Sequence, residues 1–188
     1  VFSAAKYAID ARMNDAASGY FNLIFMPTSV IYMVANFVIR PFLTRLTDLW
    51  TGRDYDCFKK ELMRIGAIIL GLTVLAVGAT AVLGKWVLSV MEMILGSGYE
   101  GRLVSYYGAF IIIVLGGGFY ALANLMYYAL VIMRRQKAIF TVYLAAAAAA
   151  AVSSGFLVSK FGINGAAGCY LLLMIGLVIG FGLYTAGA

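Results

Sequence analysis

The stretch IVLGGGFYALANLMYYALVIMRRQK, residues 113–137, decides how this chain is read. From Ile113 to Met133 it holds no charged side chain, and it stops at Arg134, Arg135 and Lys137. A helix of that length rises about 30 Å, the thickness of a bilayer's hydrocarbon core, so the run reads as a membrane span with a basic anchor. It is an odd span. Three adjacent glycines, Asn124 and the pair Tyr127 and Tyr128 lie where lipid would favour plain aliphatic residues.

The rest of the chain repeats the pattern. Of 188 residues, 64% are hydrophobic and 12% charged, too little charge to clothe a water-soluble domain of this size. The expected fold class is all-α: a polytopic transmembrane helix bundle of about five spans, near 19–39, 65–83, 107–133, 138–158 and 163–187. Pro27 is tolerated in the first span because bundle neighbours can satisfy the carbonyl it frees. Between the first two spans, residues 40–64 are polar, with Phe42, Leu43, Leu46, Leu49 and Trp50 spaced for a short amphipathic helix lying along an interface. The segment KWVLSVMEMILGSGYEGR, residues 85–102, is too short and too charged to cross and is expected in the head-group region.

Lys6, Asp10, Arg12 and Asp15 precede the first span, which is not the pattern of a secretory signal. The chain begins at Val1 and ends at Ala188 within an apolar run, so residues 1–188 are expected to be a single membrane domain cut from a longer polypeptide. Cys57 and Cys169 have no metal-ligand or redox spacing and read as free thiols. The net charge of +6 sits at the ends of apolar runs, where lipid head groups and topology account for it better than nucleic acid.

Orientation follows from the same cations. The 40–64 loop and the 134–137 turn together carry nine: Arg40, Arg45, Arg53, Lys59, Lys60, Arg64, Arg134, Arg135 and Lys137. The opposite side carries five, Lys6, Arg12, Lys85, Arg102 and Lys160, so the loop and the turn are expected in the cytoplasm.

At about 100° per residue, Asn22, Met26, Ser29, Met33, Asn36 and Arg40 fall on one face of the first span. In the third span Gly117, Ala121, Asn124, Tyr128 and Arg135 share a face, with Phe119, Leu122, Met126, Leu130 and Met133 opposite, towards lipid. Arg64, Gly71 and Gly78 align in the second span, and Gly176 and Gly180 form a G-x-x-x-G spacing in the last. Small residues at such spacings usually mark close helix contacts. For Asn22, Asn36 and Asn124, bridging between helices and lining of a polar cavity both stay open. Arg40, Arg64 and Arg135 snorkel to head groups by default; the alternative is capture of a phosphate by the guanidinium fork. The candidate substrate pathway is therefore Asn22, Ser29, Asn36, Arg40, Arg64, Asn124, Tyr128 and Arg135.

Chemistry of other kinds finds little footing. The chain has no histidine, no carboxylate inside the five runs, and no nucleophile, metal or nucleotide motif. No catalytic role, metal or cofactor is expected.

The segments AAKYAIDARM, GYFNLIFMPTSVIYMVANFVIRPFLTRLTDLW, LGGGFYALANLMYYALVIMRRQK and FGINGAAGCYLLLM, in that order, resemble the C-terminal half of bacterial lipopolysaccharide/polysaccharide biosynthesis proteins of the oligosaccharide flippase family. That family belongs to the multidrug, oligosaccharidyl-lipid and polysaccharide exporter superfamily. One departure is Ala5, where the family often has proline before the lysine. The resemblance implies two six-helix lobes around a cavity that opens alternately to each side of the bacterial inner membrane. The five runs would be the eighth to twelfth of about twelve. It further implies movement of a polyprenyl-diphosphate-linked oligosaccharide to the outer leaflet for cell-surface polysaccharide synthesis, with membrane lipids and other polysaccharide-assembly proteins as partners. Two rivals stay open: a multidrug cation antiporter of the same superfamily, and a non-transport membrane subunit or enzyme of polysaccharide assembly.

Overall fold

A computed structural model describes residues 15–95 and 103–186, and all the regular structure among them is helical. Helix α1 runs Asp15–Thr51, α2 Tyr55–Leu95, α3 Tyr107–Ile132 after a single 3-10 turn at Val104–Tyr106, and α4 Gln136–Ala186. All four are long and apolar enough to cross a membrane, so the chain is an all-α polytopic membrane bundle. Helix is what the apolar runs require: in lipid, every backbone N–H and C=O must find its partner within the segment. The hydroxyls obey the same rule, with Thr28 donating to the Phe25 carbonyl at 2.6 Å and Thr73 to Ile69 at 2.8 Å.

Five apolar runs occupy these four helices because α4 is broken at Gly162, where φ is 56° and ψ −133°. Only glycine enters that region without strain. The chain then doubles back: a methyl at Gly180 would lie 2.9 Å from Val142, and Ser153 Oγ is 3.6 Å from Cys169 Sγ. Residues 136–161 and 163–186 are thus the two arms of a helical hairpin.

Helices α1 and α2 have 37 and 41 residues, about 56 and 62 Å of rise, nearly twice the hydrocarbon thickness. The expectation of a separate surface helix in 40–64 is therefore corrected, because both long helices run into that segment and only Gly52–Asp54 turns. Arg53 adopts φ 60°, the Asp54 N–H donates to Leu49 O at 3.0 Å to close α1, and Asp54 Oδ1 accepts the Cys57 N–H at 3.2 Å to open α2. The amphipathic spacing of Leu46 and its neighbours is real, but its partner is protein: Leu46 packs with Phe58, Leu62 and Ile65. Arg45 reaches across the same hairpin to the buried Glu61 at 3.5 Å.

Of the segment expected in the head-group region, residues 85–95 are described. Residues 85–95 continue α2, and Glu92 Oε1 accepts the N–H groups of Leu103 at 2.6 Å and Val104 at 3.1 Å, tying the end of α2 to the start of the next element. Residues 96–102, and the N-terminal Lys6, Asp10 and Arg12, lie outside the described residues.

Helix α3 is the hub: 61% of its most apolar window is buried, against 17% for α2. Its three glycines admit three different neighbours. A methyl on Gly116 would come within 2.7 Å of Tyr170 on α4, one on Gly117 within 3.3 Å of Ile31 on α1, and one on Gly118 would overlap Thr73 on α2. Successive helix positions point about 100° apart, so a triplet serves three partners where a G-x-x-x-G pair would serve one. This overturns the lipid-facing assignment for Phe119, Leu122, Met126, Leu130 and Met133: Leu122 and Leu130 are buried, and all five pack within the cores. Most of the circumference of α3 is covered by protein, although Leu122, Met126 and Met133 also border an open slot. Gly71, Gly78 and Gly176, by contrast, would meet nothing within 4 Å if given a methyl, so close packing does not explain them.

Candidate functional site

The polar stripe of α1 points out of the bundle. Asn22, Ser29 and Arg40 are exposed, as are Met26 and Met33 between them, while the opposite face of α1 buries Phe21, Ile24, Thr28, Ala35 and Ile39. Near its lower end the stripe meets α3. There Tyr32, Met33, Asn36, Phe37 and Arg40 of α1 and Tyr128 of α3 line an open groove of about 290 Å³.

The geometry at the groove's back wall is specific. Asn36 Nδ2 donates to the Tyr32 carbonyl one turn earlier at 2.9 Å, which leaves Oδ1 turned towards α3, where it accepts Asn124 Nδ2 at 3.4 Å. Intramembrane amides are held by such bridges because hydrocarbon offers no other partner. Tyr32 in turn sits 5.1 Å, centroid to centroid, from Tyr120 of α3. Tyr128 packs edge-on to Tyr127 at 5.6 Å, and Tyr127 contacts Tyr143 of α4 at 6.3 Å, so the aromatic wall is braced from behind.

The lining carries one full charge, the Arg40 guanidinium, and no carboxylate. Such a groove offers aromatic faces, an amide, a phenol and a cation. It suits a polar ring system that carries a phosphate: rings pack on tyrosine and phenylalanine, and the guanidinium fork matches phosphate oxygens.

Of the eight candidate pathway residues, the structure brings together Asn36, Arg40 and Tyr128 as lining and Asn124 through its bond to Asn36. Ser29 and Asn22 continue the same face of α1, about 10 Å and 21 Å further along the axis than Asn36. Arg64 is exposed on α2 and is not part of the groove. Arg135 lies in the α3–α4 turn, where its guanidinium donates to the Tyr184 carbonyl at 3.1 Å. It caps the last helix, as cations commonly do at helix C-termini. The residues that the polar pattern missed are Tyr32, Phe37 and Tyr120. Their signal was aromatic: Tyr32 stands one turn before Asn36 and Tyr120 one turn before Asn124, so the two amides and the two rings form matching steps.

Outside the bundle, Cys57 is fully exposed, and the neighbouring Asp54 carboxylate pushes its thiol pKa up, by hydrogen bonding first and by its charge second. Among the described residues no three His, Cys, Asp or Glu side chains cluster as a metal site.

No family model matches the chain, and no curated protein or solved structure matches it either.

Proposed function

We propose that this chain is part of a transporter that moves a lipid-linked oligosaccharide across the bacterial inner membrane, by alternating access, for cell-surface polysaccharide or lipopolysaccharide synthesis. The observation that carries the reading is the groove of Tyr32, Asn36, Phe37, Arg40 and Tyr128 on a membrane-spanning helix. A sugar diphosphate on a lipid carrier needs aromatic and amide contacts for the sugar and a cation for the diphosphate, while its hydrocarbon tail stays in lipid. The groove opens on the outward face of α1, so a second wall from elsewhere would close it into a passage. That agrees with the two-lobed architecture implied by the family resemblance.

The turns at 52–54 and 133–135 lie at one end of the bundle and the Gly162 reversal at the other. The excess of cations at the two turns favours that end as cytoplasmic. Arg40 then stands on the side where a cytoplasmically made lipid-linked sugar would enter.

The test is a leaflet-transfer assay in liposomes with a fluorescent polyprenyl-diphosphate oligosaccharide. Arg40→Gln and Tyr128→Ala are expected to cut transfer at least tenfold at unchanged protein abundance. Equal loss of abundance and transfer would mark both as folding residues and remove the reading. The antiporter rival predicts drug efflux that survives Arg40→Gln, since a lone guanidinium repels a cationic drug. The assembly-subunit rival predicts no transfer by the full-length protein at all.

A further inference from the structure

A second groove, independent of the first, lies on the other side of α3. It is a slot of about 580 Å³ between α2 and the last arm of α4, floored by Leu122 and Met126 of α3. Its walls are apolar, with Leu62, Gly66, Ala67 and Leu70 on one side and Val178 and Gly182 on the other. Its mouth is different, with Lys59 and Asp56 beside the aromatic pair Trp50 and Tyr55, whose rings are 4.9 Å apart.

We infer that this slot holds one acyl chain of an anionic glycerophospholipid, with its head-group phosphate at Lys59. Three observations support this occupant. From Lys59 to Leu70 the slot descends about 16 Å, half of a hydrocarbon core of about 30 Å, so its depth is that of one leaflet. A much longer polyprenyl chain would overrun it. Trp50 and Tyr55 stand at the mouth, where amphipathic rings mark the membrane–water boundary, with the apolar walls below them. The charge is complementary: Asp56 shares the mouth, but residues 40–64 and 134–137 together carry nine cations against Asp48, Asp54, Asp56 and Glu61. Basic mouths between spans are where anionic head groups settle.

Gly66 and Gly182 keep the slot open. A methyl on Gly182 would meet nothing within 4 Å, and one on Gly66 would approach only Leu125, at 3.8 Å. The inference stands whether or not the transport reading holds, since it concerns a different face of α3.

The test uses the full chain in nanodiscs containing phosphatidylglycerol with a photoreactive diazirine on its acyl chain. Cross-links are expected within 62–70 and 178–185. Gly182→Phe, which fills the slot, should abolish them, and Lys59→Glu should lower labelling at least fivefold, in line with the attraction of one lysine for an anionic surface. Ala67→Leu is a milder plug, read alongside helix content and thermal midpoint so that misfolding cannot pass for blockade. Undiminished labelling in both plugged variants overturns the inference. So does equal labelling by phosphatidylcholine, which would mean ordinary boundary lipid, and so does displacement by polyprenyl phosphate at equal mole fraction, which would make the slot a carrier-tail site.

Discussion

Asn124 on α3 donates to Asn36 on α1 across 3.4 Å, joining positions 88 residues apart in the chain. The bond fixes the orientation of the one amide that lines the polar groove, because the other arm of Asn36 is already spent on the Tyr32 carbonyl. A double-mutant cycle with Asn36→Leu and Asn124→Leu, read by unfolding in mixed micelles, is expected to give a coupling of about 0.6 kcal/mol, the usual worth of an interhelical hydrogen bond in lipid. Additive losses would show that the two amides act independently.

Gly118 faces Thr73 so closely that an added methyl would overlap its side chain. Gly118→Ala is expected to destabilise the bundle by about 1–3 kcal/mol, the cost of overpacking. Thr73→Ala should return part of that, because it removes Oγ1 and Cγ2 while leaving a Cβ that would lie 2.7 Å from the new methyl. Gly176→Ala is the control: with open space around it, stability should hold or rise by up to about 1 kcal/mol.

Arg53 and Arg134 close α1 and α3 in the left-handed region, at φ 60° and 58°. A side chain pays about 1–2 kcal/mol to sit there, and a β-branched one pays more. Arg53→Gly should therefore be tolerated, whereas Arg53→Val should lower the thermal midpoint clearly below it. Equal midpoints for the two variants would contradict the turn geometry.

Asp54 raises the pKa of the exposed Cys57 thiol by holding its protonated form and repelling the thiolate. At any pH below that pKa the thiolate fraction is reduced, so maleimide labelling should be slow near neutrality and accelerate as pH rises. Asp54→Asn removes the charge and keeps a cap for α2, and its labelling curve should shift to lower pH. The same reagent added to intact cells tests orientation, since Cys57 should label only after the membrane is opened.

The class of fold was legible because long uncharged runs have one solution in lipid. The five apolar runs lie within the four helices, the last two as the arms of α4. What misled was the amphipathic pattern around Leu46: periodicity tells that a helix has an apolar side, and it does not tell whether Phe58 or lipid covers that side. The same ambiguity hid the role of α3, where Leu130 and Leu122 look identical whether they meet lipid or α4. Half of the polar candidates converged because Asn36, Arg40, Asn124 and Tyr128 lie at one depth on two touching helices, a relation between spans that spacing within a span cannot carry. Arg135 diverged for a local reason, the carbonyl of Tyr184 at the end of the neighbouring helix.

The single-residue reversal at Gly162 also bears on how the chain enters the membrane. Its two arms are joined by no loop, with Ser159, Lys160 and Asn164 carried on the helical arms themselves, so they are expected to leave the insertion machinery as a pair rather than one after the other. Gly162→Leu, with a side chain that cannot hold φ 56° and ψ −133°, should favour a straight rod of about 77 Å, far longer than a bilayer is thick. A reporter fused after Tyr184 would then switch sides of the membrane, and an unchanged reporter would mean that packing against Val142, not the glycine, makes the bend. One residue without a side chain is thereby expected to set the side of the membrane on which residues 163–186 end.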